Sequence, residues 1–129
     1  MSPTHTGLVD AVATDPAVVE AVRRARLTGT AQATEALDVT APSSYYPMLL
    51  ASLADAGPHA ADRPVLAVTA TAREAEDLAA ALASLLPEES VAEFPGWETL
   101  PHERLSPSSD TVGRRLGVLR RLAHPDPSD

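Results

Sequence analysis

Three short apolar runs, each leading into turn residues, constrain the fold of this chain most strongly. The clearest is residues 65–69, which is apolar without alternation, as a parallel strand covered on both faces would be. Residues 36–40 and 91–94 are predicted to be two further short strands. Because helical patterns separate the runs, the order predicts an α/β fold with a parallel, three-layer sheet and right-handed crossovers.

Helical patterns surround these runs. Residues 7–26 carry one that restarts at Asp15-Pro16, with Asp as N-cap and Pro at the first helical position. We expect Ser43 or Ser44 to cap a second helix that ends near Ala56.

Two further helices follow in the second half. Residues 71–74 read as a capping box, and the helix that they open is expected to stop before Pro87. Asp110 is the expected cap of a last helix. Four apolar residues of that helix are predicted to face inward: Val112, Leu116, Leu119 and Ala123.

The predicted organisation has three parts. Residues 1–34 form an N-terminal helical segment, residues 35–124 the α/β domain, and residues 125–129 a polar tail. Because three strands are few for such a sheet and none follows the last helix, we expect the chain to be the N-terminal piece of a larger protein. No run approaches the roughly 20 apolar residues of a membrane span, and the N-terminus lacks the features of a signal peptide, so a cytoplasmic location is expected.

The absence of lysine excludes several chemistries. All ten basic residues are arginines, so the lysine of a phosphate-binding P-loop is missing. The loop at residues 40–46, after the first predicted strand, also has no glycine. His102 and Glu103 are the one adjacent acid–base pair, and neither a nucleophile nor a set of metal ligands accompanies them. We therefore predict no catalytic residue, no bound cofactor and no metal in this chain.

Charge is distributed unevenly along the sequence. The net charge is −8, yet residues 111–124 hold four arginines and no acid, which leaves −12 for the remainder. The overall acidity argues against a general nucleic-acid-binding surface. These arginines either form a solvated face or contact phosphate or an acidic partner. The four residues are Arg114, Arg115, Arg120 and Arg121.

The segment 91–110 holds the chain's single Phe and single Trp in a Pro-punctuated loop. Trp97 is expected to anchor this loop rather than to serve as a stacking platform. Residues 94–107 resemble the F-P-x-W-E-T-L-P-x-E-R-x-S-P block near the N-terminus of bacterial transcription-repair coupling factors. The candidate motif residues are Phe94, Trp97, Glu98, Pro101, Glu103, Arg104 and Pro107.

The resemblance implies a helicase-like α/β module similar to excinuclease B, with a degenerate phosphate loop. It implies a parent protein that translocates on double-stranded DNA with ATP and Mg²⁺, displaces stalled RNA polymerase and recruits nucleotide excision repair through excinuclease A. Those activities would lie in later modules of the parent, and these 129 residues would be a non-catalytic scaffold that packs on them.

Two alternatives stay open at the level of sequence. The chain could be part of a DNA-repair ATPase of the excinuclease B kind, which would require an intact phosphate loop near residue 40. It could also be a free-standing module that binds protein or DNA through the helix bearing Arg114 and Arg121.

Overall fold

The computed structural model describes residues 6–27, 29, 36–55, 57–98 and 106–124. Within these ranges the regular structure is helical. The helices are α1 (Thr6–Val12), α2 (Pro16–Leu27), α3 (Tyr46–Ala54), α4 (Ala72–Ala83) and α5 (Ser109–Ala123), with 3₁₀ turns at Ser43–Tyr45 and Glu88–Ser90.

The predicted parallel α/β sheet is wrong, because none of the described residues lies in a strand. Residues 36–40, 65–69 and 91–94 are irregular. Leu66 and Val68 are 83% and 85% exposed, whereas a parallel strand would be covered on both faces. An apolar run becomes a strand only when a neighbour supplies the other half of its hydrogen-bond ladder, and periodicity does not report that neighbour.

The chain divides into two compact units. The first comprises Met1–Val68 with Ala80–Val91, and the second Thr69–Ala79 with Ala92–Asp129.

In the first unit, α1 and α2 both pack against α3. Its core is the buried cluster of Val18, Val22 and Ala61, against which Leu49 and Leu53 of α3 pack. The three buried side chains of this cluster are two valines and one alanine.

Hydrogen bonds hold the segment after α3 against this core. The backbone N–H of Ala61 donates to the carbonyl of Ser52, and the guanidinium of Arg26 on α2 donates to the carbonyls of Pro58 and Ala60. Arg63 in turn donates to the carbonyl of Arg26. These bonds bring Ala60 and Ala61 into the core without any regular structure of their own.

Two predicted helix starts are confirmed. The Asp15 carboxylate accepts from the N–H of Ala17 at 2.8 Å, and α2 begins at Pro16. Thr71 and Glu74 form the reciprocal capping box, with N–H to side-chain distances of 3.0 and 3.2 Å.

Two other predicted caps are wrong. Ser43 and Ser44 lie in the 3₁₀ turn, and the residue that precedes α3 is Tyr45, which makes no side-chain cap hydrogen bond. The cap of α5 is Ser108 rather than Asp110, since the Ser108 hydroxyl accepts from the N–H of Thr111 and Asp110 falls in the first turn. An acid in that turn still interacts favourably with the helix dipole.

The predicted inward face of α5 is also wrong in its second half. Leu116 and Leu119 are 60% and 49% exposed, and Ala123 is exposed. Val112 is half-buried. The predicted tail at 125–129 lies outside the described residues. No described helix is long and apolar enough to cross a membrane.

Candidate functional site

Residues 93–98, at the start of the motif, hold the N-terminal half of α5 through Arg115. The Arg115 guanidinium lies 3.9 Å from the centre of the Phe94 ring and 4.2 Å from the centre of the Trp97 ring. Its Nη1 also donates to the carbonyl oxygen of Pro95. We call these four residues the arginine clamp.

In the arginine clamp, the guanidinium of Arg115 both stacks on aromatic rings and donates a hydrogen bond. The planar guanidinium can stack on aromatic faces while its edge donates hydrogen bonds, which a lysine ammonium cannot do. The stem is half-buried along the same surface. Phe94 and Trp97 remain 40% and 54% exposed, so their outer faces still meet solvent. That Trp97 anchors its loop stays a prediction.

Glu98 ties the same segment to the first turn of α5. Its carboxylate accepts from the hydroxyl of Ser108 at 2.9 Å, from the backbone N–H of Ser108 at 3.2 Å and from the hydroxyl of Thr111. Thr111 is buried, with 4% of its surface exposed.

These hydrogen bonds favour the ionised carboxylate. The bond from Thr111, followed by those from Ser108, lowers the pKa of Glu98 below its ordinary value of 4.5. The negative charge also lies beside the N-terminus of α5, where the helix dipole stabilises it. The Glu98 carboxylate therefore connects its segment to the start of α5 through three hydrogen bonds.

An ion pair adds a third connection. Nη2 of Arg114 lies 2.5 Å from Oε2 of Glu93, whose side chain is only 16% exposed. Arg114 and Arg115 thus contact residues 93–97 of their own unit, and the sequence pattern alone did not separate these two arginines from Arg120 and Arg121. The latter two lie exposed on the last turns of α5.

The remaining candidate residues divide by position. Pro107 is half-buried immediately before the cap residue Ser108. Pro101, Glu103 and Arg104 lie outside the described residues, as does the acid–base candidate His102.

Sequence reasoning missed three residues of this arrangement. Ser108, Thr111 and Glu93 all bind motif or α5 side chains, yet the sequence pattern did not distinguish them. A signal existed for Ser108, because Ser is among the residues preferred at the N-cap of a helix. Nothing in the spacing indicated Glu93, which pairs with an arginine 21 positions away.

The arrangement therefore connects one segment to one helix by stacking, carboxylate hydrogen bonds and an ion pair. A nucleophile with an adjacent base would indicate covalent chemistry, and no such pair occurs among the motif residues that the structure describes.

Part of the chain is similar in sequence to known proteins. The matched part of the chain resembles bacterial proteins that, by name, couple transcription to repair. Two of these are the transcription-repair-coupling factors of Mycobacterium bovis and Mycobacterium tuberculosis, each 54% identical over 90 residues. This homology confirms the resemblance drawn from the sequence motif. No family model and no solved structure matches the chain.

The match covers most of this chain but only a small part of each relative. The 90 residues are 70% of this chain but only 7% of the length of each mycobacterial relative. The names of the relatives therefore describe proteins that are far longer than the segment compared.

Proposed function

We propose that this chain is an N-terminal portion of a transcription-repair coupling factor and that its own role is to support the structure of that larger protein. The observation that carries the proposal is the 54% identity over 90 residues to the two mycobacterial factors. At that level of identity over most of the chain, descent from a common ancestor is the simplest account.

The site supports a scaffold role rather than a catalytic one. Phe94, Trp97 and Glu98 of the most distinctive motif all contact the first half of α5. These contacts account for the residue types of the motif by their part in holding the second unit together. The absence of lysine from the whole sequence supports the same conclusion, because a P-loop needs lysine at the phosphates.

In this proposal the activities belong to the parent protein. Later modules would bind ATP and Mg²⁺, translocate on double-stranded DNA, contact RNA polymerase and recruit excinuclease A. This chain would contribute a supporting module beside them in the cytoplasm.

Sequencing the gene beyond the codon for Asp129 tests the connection to a parent. We expect an open frame that continues into a long protein with an intact G-x-x-x-x-G-K-[ST] motif far downstream. A stop codon directly after Asp129 would refute the proposal that this segment serves a motor in the same polypeptide.

Calorimetry tests whether this chain binds ATP. ATP with Mg²⁺ is titrated into the purified 129-residue chain, with a known P-loop ATPase as the positive control in the same buffer. We expect heat of binding from the control and none from this chain at micromolar affinity. Micromolar binding would overturn the non-catalytic role without affecting the homology.

A further inference from the structure

Residues 93–98 lie along one side of α5, and we call them the strap. The residues of α5 and of its cap that contact the strap share one face of the helix: Ser108, Thr111, Arg114 and Arg115. Their spacing of three or four residues places them on that face over the first two turns. Glu98, at one end of the strap, meets the first turn, whereas Glu93, at the other end, meets the second.

Side chains, rather than paired backbones, attach the strap to α5. The Glu98 carboxylate accepts three hydrogen bonds, the arginine clamp joins three strap residues to α5, and Glu93 pairs with Arg114. Between the strap and the other residues that the structure describes, no backbone N–H donates to a backbone carbonyl. The strap can therefore leave α5 without the loss of regular hydrogen-bonded structure.

Little apolar surface is buried around the strap. Among the residues described in the second unit, Thr111 is the one that is buried, and its hydroxyl donates to Glu98. Phe94 and Trp97 are 40% and 54% exposed. Hydrogen bonds, ring stacking and charge therefore contribute most of the attachment, because the burial of apolar surface contributes little.

We propose that α5 holds and releases residues 93–98 as one piece and that the ionised Glu98 carboxylate is the latch. The guanidinium of Arg115 contacts Phe94, Pro95 and Trp97 together, so a movement of the strap changes all three contacts at once. Glu98 directly follows Trp97, so opening the latch affects the arginine clamp through the adjoining backbone.

Release of the strap changes the surface of α5. Thr111 becomes accessible, and Arg114 and Arg115 lose their contacts with residues 93–97. The first two turns then present both guanidinium groups to solvent. This conformational change goes beyond the proposed scaffold role and does not depend on it, because it concerns contacts within this chain.

The groups that face Glu98 favour its ionised form. The hydroxyl of Thr111, followed by the hydroxyl and N–H of Ser108, lowers the pKa of Glu98 below 4.5. The charged side chains on the first two turns of α5 are Asp110, Arg114 and Arg115. Because the pKa of Glu98 is lowered in the folded state, its contribution is complete above pH 4.5 and is lost as the pH falls through the lowered value.

Amide NMR of the isotope-labelled 129-residue chain tests the proposal, because it observes the two ends of the strap separately. The backbone N–H of Glu93 reports one end. The backbone N–H of Ser108, which donates to Glu98, reports the other. On acidification of the unaltered chain, we expect both signals to move with one shared midpoint.

Two variants at neutral pH perturb one end each. Glu98→Gln removes the charge of the latch and keeps its size, whereas Glu93→Gln breaks the ion pair with Arg114. We expect each variant to shift the signals of both ends along the line that the unaltered chain follows when it is acidified. Glu76→Gln is the matched control, since it makes the same change at an exposed residue of α4 and should leave both signals in place.

Two outcomes would overturn the proposal. If each variant shifts only the signal at its own end, or if the two signals have different midpoints on acidification, the contacts are independent and there is no strap. Loss of helix content in Glu98→Gln, measured by circular dichroism, would show that Glu98 supports α5 itself rather than the attachment of the strap.

Discussion

Replacing Arg115 with alanine tests whether the arginine clamp stabilises the second unit. Stacking on a partly exposed aromatic ring contributes about 0.5–1 kcal/mol, and two rings are involved. A hydrogen bond from a charged donor contributes about 1.5–3 kcal/mol. Since Phe94 and Trp97 are 40% and 54% exposed, the lower values apply. We expect Arg115→Ala to lower the free energy of unfolding by about 2.5 kcal/mol.

The assay follows urea unfolding by the emission of Trp97, which is the single tryptophan and a member of the clamp. With a urea dependence of about 1 kcal/mol per molar for a small unit, a loss of about 2.5 kcal/mol should lower the midpoint by about 2.5 M. Arg121→Ala is the matched control, because it makes the same change on an exposed position of the same helix and should stay within about 0.5 kcal/mol.

A conservative variant separates stacking from charge. Arg115→Lys keeps the positive charge but loses the planar guanidinium, so we expect it to recover less than half of the lost stability. If Arg115→Ala and Arg121→Ala shift the midpoint equally, the clamp does not stabilise the unit. Full recovery by lysine would show that charge alone matters.

Three further predictions follow from single residues. Ser108→Ala removes the cap of α5 and should destabilise by about 1 kcal/mol in urea unfolding, whereas Ser109→Ala should have almost no effect. Val18→Ala in the core should lower the free energy of unfolding by about 2–3 kcal/mol. Val19 is 52% exposed, so Val19→Ala should lower it by at most about 0.5 kcal/mol. Equal losses of stability in the two variants would contradict the assigned core. Hydrogen bonds and ion pairs with two arginines of α2 lower the pKa of Glu20 from 4.5 to about 2. Their stabilisation of the folded state is therefore complete above pH 4.5 and is lost as the pH falls through 2. A carboxyl NMR titration of Glu20 with a midpoint near 4.5 would contradict this.

Much of the local structure could be predicted from the sequence because local signals suffice for it. Asp15 with Pro16, and Thr71 with Glu74, fix helix starts through contacts within three residues. The α5 cap was misplaced by two residues, since Ser108 and Asp110 are both good capping residues and the spacing does not choose between them.

The candidate site was predicted in part. The motif that contains Phe94, Trp97 and Glu98 was recognised from its order, and homology to the mycobacterial factors confirmed the resemblance. Its contacts with Arg115 and Ser108 were not predicted, because they join residues 10 to 21 positions apart. Sequence spacing is informative within a helical turn and silent at that separation.

The sequence by itself determined the starts of α2 and α4, the absence of lysine and the relationship to coupling factors, because each depends on residue identity or on contacts within one turn. Only the tertiary structure decided whether an apolar run would pair. Residues 65–69 have the composition of a buried strand, yet Leu66 and Val68 remain exposed and unpaired with any described strand. The tertiary structure likewise decided that Arg114 and Arg115 of α5 contact residues 93–97. Strand pairing and distant ion pairs require a second segment, and one segment's residue pattern does not specify where its partner lies.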